Sequence, residues 1–487
     1  MRSFRRRTAA ELSLTLAGAL ALGLLALASA HRIGASGLDI VSSDSLYLPL
    51  LYEGNILGFR LSSASNLFPD LLYYAAARAT GQDEIGALAM AGILQCSVTT
   101  LLLTRYCGAL AAIAYNGLYF LFGFPFYFST SFHQGLIVMT LLYVVFPGPG
   151  ARRTMSLFFT IADPLFALVP SLFLAARAWF DRKADAGEAC LIVAGYAGAF
   201  FLAESNVDLA KFAPALAASL VAGWIATLPR AHRIVAMLAA RLPVSAVPSR
   251  WRNPGMREHR VCSVLLLCAS LGSQLAGQPA RYALPLLVSS IVFWTWRADV
   301  RSAARDRRWF AAALLGFTSF AFLYATAMPA LTATSRAALS GYACLTEKLR
   351  SLGADAVATD YWTFKPLYFL GARDAGLRLL QLDFRGGSPD TWINDHRFVR
   401  GQTRFIVRDL SRCNALSRQD RGWAGHCSDD WFSRLGVKAR TEACGGFEIV
   451  ETNRPIDFSA WEGSFGSKLS AFAYNLRQNA RKLTNGW

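Results

Sequence analysis

From Leu12 to about Pro329 the chain is a series of apolar blocks separated by short basic clusters, after which its composition turns ordinary and polar. That pattern constrains the fold more than any single motif. Long apolar runs bounded by Lys and Arg fit a protein that lives in a bilayer, where the basic residues gather on the cytoplasmic side. Only 17% of the residues are charged, against roughly a quarter in ordinary soluble chains. The net charge of +17 does not point to nucleic acid. The arginines are dispersed between apolar blocks and do not form one basic face.

Orientation follows from the order of the clusters. Arg2 and Arg5 to Arg7 precede an apolar run from Leu12 to Ala30. A signal peptide begins the same way, but this run is long for one and many more follow, so it reads as a retained first span. Further runs fall near 85–104, 107–125, 135–147, 154–162, 164–179, 188–204, 210–228, 261–277, 282–296 and 309–329. The segment 154–179 has basic residues at both ends and Asp163-Pro164 at its middle. Two short helices turning at Asp163 place both clusters on one side and avoid an aspartate in hydrocarbon. The expected fold is therefore a polytopic α-helical membrane protein with about eleven transmembrane helices. Its N-terminus is cytoplasmic, and the loops with Arg105, Arg152, Arg177 to Lys183, Arg230 to Arg260 and Arg297 to Arg308 lie on the same side.

The opposite side receives the ionisable residues. The first outer loop, 31–84, carries Asp39, Asp44 and Asp70. Two apolar segments in it read as interfacial helices, one capped by Asp44 and the other by Asn66, with Pro69 in its first turn. Other outer turns deliver His133, Asp163, Glu204 and Arg281. Any one of these alone is an ordinary solvated helix end. Convergence of five connections on one membrane edge is the signal of a site.

The C-terminal part, 333–455, alternates strands and helices. Expected strands are 356–360, 377–384, 404–409 and 445–451, and expected helices include 365–371, 390–399 and 429–435. These read as a small α/β domain, with Asp360 and Asp409 at strand ends. The tail 456–487 is basic and amphipathic. The transmembrane module is 1–332.

A first span, a long outer loop with acidic residues on two surface helices, many further spans and a C-terminal outer α/β domain together resemble the architecture of C-type glycosyltransferases, polytopic enzymes that use polyprenyl-phosphate sugars. Several strings also look like those of bacterial members. They are Asp44-Ser45-Leu46-Tyr47, Asn66-Leu67-Phe68-Pro69-Asp70, Phe132-His133-Gln134-Gly135, Ala162-Asp163-Pro164-Leu165-Phe166 and Arg281-Tyr282-Ala283-Leu284-Pro285. The resemblance implies a GT-C-like membrane module in the bacterial inner membrane, with the C-terminal domain in the periplasm. It also implies transfer of a sugar to a periplasm-facing glycan or lipid acceptor, membrane lipids being the other partners. Such transfer needs a general base, for which Asp44, Asp70 and Asp39 are the candidates in that order. Arg281, with His133 and Tyr282, is placed to hold the donor phosphate. Asp163, Glu204 and Asn66 are placed to bind substrate. No nucleotide is expected, as no Gly-rich phosphate loop is present; a divalent metal stays open, with no motif that supports one. The competing reading is a lipid or glycan flippase, disfavoured by the lack of inverted repeats or paired broken spans.

Nine cysteines divide between the two parts. Cys96, Cys107, Cys190, Cys262 and Cys268 read as packing residues of spans. Cys344, Cys413, Cys427 and Cys444 lie in the part expected outside and read as disulfide-bonded. Of their three pairings, Cys413 with Cys427 is preferred, because it closes a loop rich in turn residues.

Overall fold

The computed structural model describes residues 2–36, 45–54, 59–60, 67–123, 135–146, 148–164, 166–181, 185–203, 257–275, 280–296, 302–382, 394–395, 398, 401–411, 413, 427, 432–433 and 437–457. Helices α1 (Arg2–Ser36), α2 (Tyr47–Glu53), α3 (Asp70–Arg78), α4 (Glu84–Tyr106) and α5 (Ala109–Leu118) come first, α5 running on into a π-helical turn, Tyr119–Gly123. Then follow α6 (Gly135–Val145), α7 (Pro149–Ala162), α8 (Leu168–Asp181), α9 (Ala186–Ala203), α10 (Arg257–Leu275) and α11 (Ala280–Thr295). The 50-residue α12 (Ser302–Ser351) leads into the C-terminal sheet. At 1.5 Å per residue it is about 75 Å long. The composition break near 333 thus falls inside one continuous helix.

The expectation of about eleven transmembrane helices in a GT-C-like fold is corrected by these lengths. Among the described residues, three helical stretches are long and apolar enough to cross a bilayer: Ser13–His31, Glu84–Tyr106 and Arg308–Ala333. Five other apolar helical stretches have only 10–17 residues, short of the roughly 20 that a regular span needs. Hydropathy alone overcounted because apolar residues also fill a protein core. In α6 every residue from Gly135 to Leu141 is buried against other helices, as expected of an apolar segment of that length.

Packing nonetheless brings the short helices into one bundle with the long ones. α12 lies against both α1 and α4, α10 packs on α11 and α8, and α7 packs on α9. A Cβ at Gly195 of α9 would lie 2.6 Å from Thr160 Cβ, so only glycine allows α7 and α9 to approach this closely. The turn expected at Asp163 is present: α7 stops at Ala162 and Asp163 takes an extended backbone (φ −153°, ψ 94°). Arg153 before the turn pairs with Asp185, and Arg177 after it pairs with Glu188, so both basic clusters sit at one end of the bundle. That end is called the arginine end here, and the other the Asp70 end.

Asp185 also caps α9, accepting from the Glu188 N–H at 3.2 Å. Burial works against its charge. The bidentate Arg153 bonds and the N–H groups of Glu188 and Gly187 outweigh burial and hold the carboxyl below its usual value. A lowered folded-state pKa contributes stability above the unfolded-state carboxylate pKa, which is lost as pH falls through the folded value. Asp185→Ala is therefore expected to cost about 1 kcal/mol at neutral pH. Thermal unfolding followed into acid should show the variant and the wild type converging; a constant gap would contradict the ionic origin.

The sheet has the order β3-β2-β5-β7-β6, where β2 is Ala356–Asp360, β3 Arg378–Leu382, β5 Gln402–Asp409, β6 Ala439–Cys444 and β7 Phe447–Asp457. β2 runs parallel to β3 and β5, whereas β7 is antiparallel to β5 and β6. The expected strands are present, and β6 is an additional edge strand. The expected helix 390–399 is corrected: β4 (Asn394–Asp395) pairs antiparallel with β1 (Phe59–Arg60) of the first loop. Asp360 caps α13 (Tyr361–Leu367), accepting from the Trp362 and Thr363 N–H groups. Asp409 accepts from Ser411 in a turn. Both strand-end aspartates thus serve as local caps. The tail beyond Asp457 lies outside the described residues.

Two disulfides join Cys344 to Cys444 and Cys413 to Cys427. The first fastens the end of α12 to the edge strand β6. Non-reducing peptide mapping should recover these two pairs and find Cys96, Cys107, Cys190, Cys262 and Cys268 as thiols. A Cys344–Cys413 peptide would contradict the packing of α12 on the sheet.

Candidate functional site

The expected site residues can be placed through the helices that carry them. α7 leads away from the arginine end to Asp163, and α9 leads away from it to Ala203. α11 meets Cys107, at the end of α4, through Val292, so Arg281 and Tyr282 in its first turn belong to the Asp70 end. Asp163 is buried there. Asp39, Asp44, Asn66, His133 and Glu204 lie outside the described residues. The caps assigned to Asp44 and Asn66 are corrected, since the N-cap positions of α2 and α3 belong to Leu46 and Pro69. The segment α2 also does not lie on a surface: Tyr47 to Leu51 are buried.

Asp70 is the site residue the structure defines best. It is the first residue of α3, 3% exposed. The amide Nε2 of Gln95, in the middle of α4, donates to Asp70 Oδ1 at 2.9 Å. Gly135, at the start of α6, closes the other side. A Cβ there would come within 3.0 Å of Asp70 Oδ2 and 2.5 Å of Pro69 Cδ, so the glycine lets α6 approach the carboxylate. His133 stands two positions before that glycine in the sequence. Burial, and after it the charge of Asp70, push the phenols of Tyr47 and Tyr73 far above the ordinary tyrosine range. Both stay protonated at neutral pH and present hydroxyl donors near a carboxylate. Asp70 therefore stands where α2, α3, α4 and α6 meet.

The sheet domain is fastened beside this point. Arg373, which ends the π-helical turn Tyr368–Ala372 after α13, donates to Glu53 Oε1 at 2.8 Å and to Glu84 Oε1 at 3.1 Å, bridging the end of α2 and the start of α4. Arg78, at the end of α3, lies 3.5 Å from Glu84. Burial opposes the charge of Arg373, but the Glu84 bond and the fields of Glu84, Glu53 and Asp374 raise its pKa above the ordinary guanidinium value. With the β1–β4 pairing, these bonds hold α2, β1 and the start of α4 against the C-terminal domain. Chemically, the arrangement provides a desolvated carboxylate with a fixed orientation, neighbouring phenols and an ordered cover.

Sequence reasoning missed Gln95, Tyr47, Tyr73 and the Arg373 bridge. Gln95 did carry a signal, as a lone amide inside an apolar run. Glu188 was missed as well: at the arginine end it is 0% exposed, accepts from Tyr143 and Ser156, and pairs with Arg177. Among the described residues no group of His, Cys, Asp and Glu is arranged to hold a metal ion. Comparison with family models, curated proteins and solved structures finds no match to this chain.

Proposed function

We propose that this protein is a bacterial inner-membrane glycosyltransferase that moves a sugar from a polyprenyl-phosphate donor to a periplasm-facing glycan or lipid. The observation that carries the reading is the buried Asp70 carboxylate, oriented by Gln95 at the meeting of four helices and beside the covering sheet domain. A general base in this role must be held still and kept from bulk water, within reach of an acceptor hydroxyl. Asp70 takes the proton of that hydroxyl as it attacks the anomeric carbon, and the polyprenyl phosphate departs. Arg281, in the first turn of α11 at the same end, is the group to meet the leaving phosphate. The resemblance of the strings around Asp70, Asp163 and Arg281 to C-type glycosyltransferases supports the same assignment.

Membrane residence draws its support from exposed apolar side chains. Leu16, Leu20, Leu24 and Leu27 of α1, Phe310, Phe317 and Phe322 of α12, and Leu271 and Leu275 of α10 all face outward. Trp294 and Trp309 lie at the arginine end, where indoles favour the interface. With the arginine end cytoplasmic, reporter fusions after Arg105, Arg153 and Lys183 should report cytoplasm, and a fusion after Ser335, beyond the third long apolar stretch, periplasm. Opposite sides for Arg153 and Lys183 would contradict this orientation.

The direct test is the envelope glycan and lipid profile of a deletion strain, complemented with wild-type or variant protein at matched membrane levels. Loss of one sugar from a defined glycan is the expected result. An unchanged profile in the deletion strain would refute the proposal.

A further inference from the structure

At the arginine end, remote from Asp70, a buried imidazole and two guanidiniums come together, each with one buried nitrogen that has no hydrogen-bond partner among the described residues. His259 is in the first turn of α10 and is 8% exposed. Its ring stacks on Trp296 at 4.7 Å, and Phe173 and Phe293 close two further sides with centroids at 4.8 and 5.8 Å. Its Nδ1 is buried with no hydrogen-bond partner among the described residues. Leaving such a nitrogen unbonded is unfavourable, and no aromatic neighbour relieves it. Arg152 of α7 and Arg177 of α8 bring their charges to the same ring. Burial first, then the fields of these two arginines, hold the His259 pKa down to about 4.

Neither guanidinium is saturated. The Nε of Arg152 is buried and unbonded among the described residues. Arg177 Nη1 lies 3.6 Å from Glu188 Oε2, an ion pair without a hydrogen bond. Glu188 is largely committed elsewhere, since its Oε1 accepts from Tyr143 at 2.5 Å and Ser156 at 2.9 Å. Arg153, by contrast, is fully engaged by Asp185 through bonds of 2.8 and 3.0 Å. Among the described residues, nitrogens from three helices, two of them on permanently charged groups, therefore have unused hydrogen-bonding capacity at once, and Arg152 is only partly covered, which leaves an approach from outside.

We propose that Arg152, Arg177 and His259 together bind one phosphate group at this end of the bundle. A tetrahedral oxyanion presents several acceptors at once. It can take a charge-assisted bond from each guanidinium and a third from the imidazole Nδ1–H. Bound there, it satisfies the orphan donors and offsets the mutual repulsion of Arg152 and Arg177. This site is independent of the sugar-transfer chemistry at Asp70. The phosphate has two sources, the headgroup of an anionic lipid or a free phosphate ion, and both offer the same oxyanion.

The full chain in maltoside micelles, which contain no phosphate, separates them. In one arm radiolabelled inorganic phosphate is titrated. In the other, phosphatidylglycerol is added and the lipid retained by the protein is measured by native mass spectrometry. Binding of at least one probe is expected, weakened about tenfold by Arg152→Gln and by His259→Gln, the loss of one charge-assisted or buried hydrogen bond. Retention of lipid alone identifies a headgroup site; free phosphate that displaces the lipid identifies a site for the bare ion. Arg153→Gln is the charge control and should bind as the wild type does. Arg177 is left intact, because its removal would uncover Glu188. The proposal is overturned if neither probe binds, if the Arg152 and His259 variants bind normally, or if Arg153→Gln weakens binding equally.

Discussion

Asp70→Asn is expected to lower sugar addition on the order of a hundred- to ten-thousand-fold, the usual loss when a general base is removed. The substitution is nearly isosteric. Asparagine Oδ1 can still accept from Gln95 Nε2, so the orientation seen at 2.9 Å is preserved while basicity is lost. Folding and catalysis are separated by matching membrane levels of the variant to the wild type before glycan is measured. Gln95→Met gives a second reading. It keeps the volume of the side chain but removes the donor, so it should lower the rate less than Asp70→Asn and leave abundance unchanged. Near-normal addition by Asp70→Asn together with loss in Asp44→Asn would move the base to Asp44, the first choice from sequence. Normal addition by both variants would sink the assignment of this loop to catalysis.

How far the sequence revealed this arrangement depends on the range of the interaction involved. α4 was legible because its apolar run from Ile85 to Leu103 is bounded by Asp83, which caps it through Gly86 N, and by Arg105 in its last turn. The break between α7 and α8 was legible because Asp163-Pro164 is a local stop signal. The strands β2 and β5 were legible from short β-branched runs between turn residues. β6 was not: Ala439, Arg440 and Thr441 are all exposed on this edge strand, so no apolar alternation marks it. The count of spans failed for a different reason. Hydropathy measures what a segment avoids, which is water, and cannot tell lipid from the interior of a bundle.

The site divides in the same way. That Asp70, Asp163 and Arg281 share one end of the bundle followed from the alternation of basic clusters, a property of consecutive segments. Which groups touch Asp70 did not follow. Gln95 is 25 residues away from it, and the bridge from Arg373 to Glu53 spans 320 positions. Neither contact has a local pattern to announce it. The Arg373 bridge had the further difficulty that glutamates at the ends of α2 and α4 look like ordinary solvated termini until a third element crosses them.

Removal of the Glu188 side chain is expected to have the largest effect on stability, about 3–5 kcal/mol for Glu188→Ala. Three groups depend on this fully buried carboxylate. Tyr143 and Ser156 donate to Oε1, and Arg177 faces Oε2 at 3.6 Å. Truncation leaves two buried hydroxyls without their acceptor and a largely buried guanidinium without its counter-charge. Because these groups come from α6, α7 and α8, the loss should loosen the junction of all three with α9. The measurement is thermal unfolding in detergent, with protease sensitivity of the 148–186 region as a local readout. An ionic origin makes a further demand. Combining Arg177→Met with Glu188→Gln removes both charges while keeping the hydrophobic stem at 177 and a side-chain acceptor at 188 for Tyr143 and Ser156. The double variant should therefore recover much of what Glu188→Ala loses, since an uncompensated buried charge costs more than no charge at all. Equal destabilisation by the double variant would place the effect in packing volume. Wild-type stability in Glu188→Ala would mean that this carboxylate does not hold the four helices together.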